Sequence, residues 1–123
     1  MTTIGKLGWK NPLGEGIEFE VRTLYDAIDV IERKPAIFIG EASISALFWT
    51  INGFRLAVGA FDVAIGLEEP PFRGFHDFVA NAYGYRSSSA GWRAMLLEQS
   101  HGDEHAAYDA FFTILRRYRA TKR

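Results

Sequence analysis

Cysteine is absent from the 123-residue sequence. Its absence excludes disulfide bonds, thiolate zinc sites and cysteine nucleophiles. A chain without cysteine fits a reducing compartment. The opening residues, MTTIGKLGWKNPLGEG, also lack the apolar segment of a secretory signal. We therefore expect a cytoplasmic protein.

Neither sign of charge dominates, because 14 Lys and Arg residues face 15 Asp and Glu residues and the formal net charge is -1. This balance argues against a partner that binds through overall charge, such as nucleic acid or an anionic membrane. Uninterrupted apolar runs of membrane length are also missing, since Arg55 and Asp62 interrupt residues 44–67. Each charge would cost about 2.5–3.5 kcal/mol at the centre of a membrane helix, which favours a buried helix of a globular domain.

The composition is that of a folded protein, with 48% hydrophobic and 15% aromatic residues. The length predicts a single domain over residues 1–123. Within it, the residue pattern predicts a loosely structured N-terminal segment at 1–16 (a lead-in) and a helical core at 23–119. The alternation of Ile17, Phe19 and Val21 with glutamates predicts a short strand. Residues 36–39 are its candidate partner, so a short β-ribbon near the N-terminus is compatible with the pattern.

The first helix is predicted from local signals. Thr23 and Asp26 have the spacing of a capping box, and Pro35 should end the helix because it disfavours helical geometry at Lys34. After the proline we expect an extended buried segment through Ile37 and Ile39, followed by a glycine turn into the next helix.

A long central helix follows, over residues 44–65. Its apolar positions are spaced at one, three or four residues: Ile44, Leu47, Phe48, Ile51, Phe54, Val58, Phe61 and Ile65. A second ridge is made of small residues, Gly53, Ala57, Ala60 and Ala64, and should receive a neighbouring helix. Three shorter helical patterns follow the break at EEPPFRG. The predicted fold is all-α or nearly so, a single compact bundle of about five helices.

Catalytic and metal-binding patterns are weak. His101 and His105 are four residues apart, which is a metal-ligand spacing on a helix, but Gly102 and Asp103 between them indicate a turn between two helices. We predict no metal site and no cofactor. The serines of YRSSSAG are better explained as helix caps than as nucleophiles, so no catalytic residue is predicted and the protein is not expected to be an enzyme.

A polar stripe formed by Asn52, Arg55 and Asp62 runs along the central helix. Two interpretations are open. The favoured one is a partly buried hydrogen-bonding network that fixes helix packing, and the other is a recognition or catalytic stripe.

Candidate partner-binding residues are found in the loops, where aromatic and arginine side chains accumulate outside the predicted core faces. These residue types dominate protein–protein hot spots. The alternative is that the loop aromatics seal the ends of a small core. The candidates are Glu68, Glu69, Phe72, Arg73, Tyr85 and Arg86.

The C-terminal segment RRYRATKR is basic. Positive charge is favourable at a helix C-terminus, which accounts for it without a partner. The alternative is a nucleic-acid-binding regulator that uses these cations with Tyr118 as a stacking group.

Several segments together resemble a known group of proteins. IERKPAIFIGEASISAL is followed in order by INGF, FHDFV, GW with MLL, and GDEHAAYDAFFTIL, over residues 27–119. This order is similar to that of small helical bacterial immunity proteins encoded beside polymorphic toxins. The resemblance implies a protein that binds and neutralises a cognate toxin domain, without cofactor, and it transfers no site residues.

Overall fold

The computed structural model describes residues 6–10, 16–61, 69–86 and 91–121, with side chains from residue 21 onward. Helices dominate this part of the chain, and the prediction of an all-α or nearly all-α fold is confirmed. The elements are strands β1 (Lys6–Lys10) and β2 (Gly16–Glu20), helices α1 (Leu24–Arg33), α2 (Pro35–Phe38), α3 (Ile44–Ala60), α4 (Phe75–Ala82), α5 (Gly91–Gln99) and α6 (Glu104–Arg119), and a 3-10 turn at Phe72–Gly74. None of the helices in these ranges is long and apolar enough to cross a membrane.

The chain folds into two units. Unit 1 comprises Met1–Glu41 and Trp49–Glu68, and unit 2 comprises Ala42–Phe48 and Glu69–Arg123. Helix α3 therefore begins in unit 2 and continues in unit 1. That the chain acts as a single domain stays a prediction.

The two strands pair with each other in an antiparallel ribbon, in a register that sets Lys6 opposite Glu20 and Trp9 opposite Ile17. The predicted strand over GIEFE is confirmed, but the predicted partner at residues 36–39 is wrong. Lys6–Lys10, which was expected to be part of a loose lead-in, supplies the second strand instead.

Helix α1 begins and ends where the sequence indicates. The Thr23 hydroxyl accepts a hydrogen bond from the Asp26 backbone N–H, and the Asp26 carboxylate accepts one from the Thr23 N–H, so the capping box is complete. The helix ends at Arg33, before Lys34 and Pro35. Its buried side chains are Leu24, Tyr25, Ile28, Val30 and Ile31.

The predicted extended segment after Pro35 is wrong, because Ile37 lies in a helical turn and Ile39 follows that turn as its C-cap residue. Pro35 opens the single turn α2, because a fixed φ and a missing N–H are both tolerated at the first helical position. Ile37 and Ile39 are half-buried. The predicted glycine turn is confirmed, since Gly40 has φ +86°, a left-handed conformation that favours glycine.

Helix α3 buries one side only. Ile44, Leu47 and Ile51 are buried as predicted, whereas Phe61, just beyond the helix end, is 77% exposed. The small ridge does not receive a helix within the described part of the chain, because the space where a Cβ of Gly53 would lie has no atom within 4 Å. The predicted continuation to Ile65 lies outside the described residues.

Aromatic rings form the core of unit 2. Phe75 is fully buried at the centre, and the centroids of four other rings lie 5.2–5.8 Å from its own. These rings belong to Phe72, Trp92, Phe111 and Tyr118. They fix the relative positions of the 3-10 turn and helices α4, α5 and α6, since edge-to-face and stacked contacts favour particular ring orientations.

Candidate functional site

The exposed side of α3 carries large apolar side chains. Trp49 is 64% exposed and Leu56 is 73% exposed. These two residues are seven apart, so they lie on the same face of the helix two turns from each other. Gly53 lies between them on that face, also exposed. With Phe61, they are three of the four large hydrophobic residues that are exposed in the described part of the chain. We call Trp49, Leu56 and Phe61 the apolar surface.

The predicted polar stripe on the same helix is exposed rather than partly buried. Asn52 and Arg55 both lie at the surface. A partly buried network that fixes helix packing is therefore wrong for these two residues, and Asp62 lies outside the described residues. Arg55 is the single charged residue of α3, so the exposed part of this helix is unusually apolar for a helix in contact with water.

An apolar groove in unit 1 runs beside the next face of α3. Its walls are residues of α1, α2 and α3 together with Val21, and its volume is about 160 Å³. Thr50 and Phe54 line it from α3. Phe61 is seven residues after Phe54, and its N–H still donates to the Ala57 carbonyl in the helical pattern, so it lies on the same side as Phe54. A cavity of this size is smaller than the pockets that usually hold drug-sized ligands.

A polar cluster surrounds the first turn of α3 in unit 2. Glu104 Oε1 accepts hydrogen bonds from the Ser43 hydroxyl at 2.8 Å and the Ser45 backbone N–H at 2.9 Å, and Oε2 accepts from the Ser45 hydroxyl at 2.7 Å. Ser43 is also the N-cap residue, because its Oγ accepts from the Ala46 N–H at 3.2 Å. This cluster was not predicted from the sequence. In the sequence, Ser43 before the helix is a recognisable N-cap candidate. No residue near Ser43 and Ser45 indicates that Glu104 contacts them.

Arg93 completes the polar cluster from α5. Its Nε donates to the Ser45 hydroxyl at 2.7 Å, and its guanidinium lies 5.9 Å from the centre of the Phe48 ring. The pKa of Glu104 is lowered, chiefly by the hydrogen bond from the Ser45 side chain, then by the bonds from the Ser45 backbone and the Ser43 hydroxyl and by the Arg93 charge, although burial acts against them. A carboxylate with a lowered pKa is a weak base, so the arrangement is suited to holding α3 rather than to activating a serine.

The predicted contact residues before α4 differ in their exposure to solvent. Phe72 is only 3% exposed and packs against Phe75 and Trp92, so its prediction as a surface contact is wrong. The ring seals the core, as the alternative interpretation held. Glu69 and Arg73 are exposed, and Glu68 lies outside the described residues.

The predicted contact residues after α4 are Tyr85 and Arg86. Arg86 is exposed and Tyr85 is half-buried. The Tyr85 hydroxyl donates to Glu98 and accepts from Gln99 Nε2 at 3.2 Å, and the bond with Glu98 is the main cause of its raised pKa. Since α4 separates this pair from Glu69 and Arg73 by eight helical residues, about 12 Å along its axis, the structure does not gather the candidates into one patch.

The two histidines lie on different elements, as predicted. His101 is in the turn after α5 with φ +56°, and His105 is in the first turn of α6. The His105 ring has Nδ1 3.3 Å from the Ala42 carbonyl oxygen and Nε2 3.5 Å from Asp109 Oδ2. Across the described ranges, no three His, Cys, Asp or Glu residues group as a metal site would require.

The basic C-terminal segment lacks its proposed stacking group. Tyr118 is buried, and its hydroxyl donates to the Pro71 carbonyl at 2.5 Å, so its prediction as a base-stacking residue is wrong. Burial raises the pKa of Tyr118, and the charge of Arg73 acts in the opposite direction. Arg116 and Arg117 are exposed. Lys122 and Arg123 lie outside the described residues.

Comparison with known proteins supplies no relative: no family model matches the chain, and no curated protein or solved structure is significantly similar to it. The resemblance to immunity proteins therefore stays an expectation from the sequence motifs.

Proposed function

We propose that this protein binds another protein through the apolar surface at α3 and the residue that follows it, Phe61, and neutralises that protein. The observation that carries the proposal is the exposure of Trp49, Leu56 and Phe61, at 64%, 73% and 77%, within thirteen residues of one another. Single exposed apolar residues are ordinary on protein surfaces, but here Trp49 and Leu56 share one face of α3 and Phe61 follows directly after the helix, and such a group is typical of an interaction site.

The energetics of these three residues suit a binding role. Burial of each such side chain against a partner would contribute about 1.5–3 kcal/mol, before the cost of association. Tryptophan is enriched among the residues that dominate binding energy. Gly53, between Trp49 and Leu56, leaves room for a partner's atoms to approach the helix backbone, because nothing lies within 4 Å of its Cβ position.

The proposed partner is a cognate toxin domain of a polymorphic toxin system, and the proposed compartment is the cytoplasm. Support for the partner comes from the motif order between IERKPAIFIGEASISAL and GDEHAAYDAFFTIL, which is similar to that of immunity proteins. A reducing cytoplasm is consistent with the absence of cysteine. In this proposal the protein acts by binding and not by catalysis.

The test has two steps: the neighbouring genes are searched for one that encodes a large toxin-like protein, and the C-terminal domain of that protein is co-expressed with this one. We expect rescue of growth and co-purification of the two chains. Leu56→Glu should weaken binding at least tenfold in calorimetry, because it places a charge in the buried interface. Ala106→Glu is the matched control, since it adds the same charge at an exposed position of α6 and should bind like the unaltered protein.

Two results would contradict the proposal. If the unaltered protein neither rescues growth nor co-purifies with that domain, the immunity function fails. If binding occurs but Leu56→Glu binds as tightly as Ala106→Glu, the partner uses another surface. The alternative, a nucleic-acid-binding regulator, is weakened because its stacking residue Tyr118 is buried. That alternative predicts an electrophoretic mobility shift of nucleic acid at physiological salt, which the immunity function does not predict.

A further inference from the structure

We draw no further inference here: the strongest candidate, the apolar groove that α1, α2 and α3 form around Phe38 and Phe54, carries nothing because no feature of the structure shows what covers it.

Discussion

At the first turn of α3, a single carboxylate takes up donors that the helix itself cannot satisfy. The early N–H groups of any helix lack intrahelical partners, and Glu104 accepts one of them, from Ser45, together with the hydroxyls of Ser43 and Ser45. Negative charge is also favourable at a helix N-terminus because of the helix dipole. Glu104 therefore joins α6 to α3 by hydrogen bonding and by charge.

Replacement of Glu104 by Gln should lower the free energy of unfolding by about 1–2 kcal/mol at pH 7, because hydrogen bonds to a charged acceptor become bonds to a neutral one. The loss should depend on pH. A carboxyl group whose folded-state pKa is lowered stabilises the fold fully above its unfolded pKa of about 4.3, and this contribution disappears as the pH falls through the folded value. The difference between the two proteins should therefore be constant at neutral pH and shrink as the pH falls below the unfolded pKa of about 4.3.

Urea denaturation of both proteins at several pH values measures this difference. Glu41→Gln is the control, because Glu41 is exposed and its replacement should change stability little at any pH. A difference between Glu104→Gln and the unaltered protein that stays constant when the pH is lowered below the unfolded pKa would show that the charge of Glu104 is not what stabilises α3.

Glycine is required at position 74 because the Tyr118 side chain lies close to it, and not because of its backbone conformation. Its φ of -82° suits any residue, but a Cβ there would overlap the Tyr118 hydroxyl. That hydroxyl cannot easily move, because it donates to Pro71 and its ring packs against Phe75 and Phe78. We expect Gly74→Ala to destabilise the protein by about 1–3 kcal/mol, as overpacking does.

A double-mutant cycle isolates this contact. In a Tyr118→Phe background the hydroxyl is gone and the nearest remaining ring atom is Cζ, at 3.4 Å from the Cβ position, so Gly74→Ala should cost much less. Thermal or urea denaturation of the four proteins gives the coupling energy. If the two substitutions are additive, the hydroxyl is not the cause of the destabilisation.

At the scale of the helix, α3 has one side in a core and the other at the surface. Ile51→Ala should cost about 2–5 kcal/mol, because Ile51 is 1% exposed and its removal leaves a cavity. Leu56→Ala, five residues further on the same helix, should change stability by less than about 1 kcal/mol, since its side chain is 73% exposed. Urea denaturation compares the two variants. Equal costs would mean that Leu56 is buried in solution.

How far the elements could be predicted depended on how local their signals are. Helix α1 was located correctly because Thr23, Asp26 and Pro35 all act within the helix or next to it. Spacing on α3 showed which positions share a face, but Phe61 shows that an apolar residue on a helical pattern need not meet a core. Periodicity describes the helix alone, and burial depends on what packs against it.

The polar cluster could not be predicted for a different reason. Glu104 and Ser43 are 61 residues apart, and their contact exists only because α5 and α6 fold beside the start of α3. Pro35 illustrates a third limit. A proline both ends one helix and is accepted at the start of the next, so the same residue was compatible with the extended segment we predicted and with the helical turn that is present.

Across the whole molecule, low net charge coincides with exposed apolar side chains. The formal charge is -1 at pH 7 and the sequence pI is about 6.3, so electrostatic repulsion between copies is weak. We expect reversible self-association that increases as the pH is lowered from 8 towards 6.3, with contact through the apolar surface. Sedimentation velocity at several concentrations measures it.

Leu56→Glu should reduce this self-association more than Ala106→Glu does. Both variants carry one additional negative charge, but only the first places it on the apolar surface. Equal behaviour of the two variants would indicate that net charge alone controls association.

Two of the three tryptophans, Trp92 in unit 2 and Trp49 in unit 1, have optically distinct surroundings. Trp92 is 7% exposed with the rings of Phe48, Phe72, Phe75 and Phe111 fixed around it, whereas Trp49 is largely in contact with water. A rigid, asymmetric ring environment gives strong near-ultraviolet circular dichroism, and a hydrated indole emits at longer wavelength and is reached by iodide. Once Trp9 of β1 is replaced by Phe, the protein carries Trp92 as a reporter for the integrity of the unit 2 core and Trp49 as a reporter for what approaches α3.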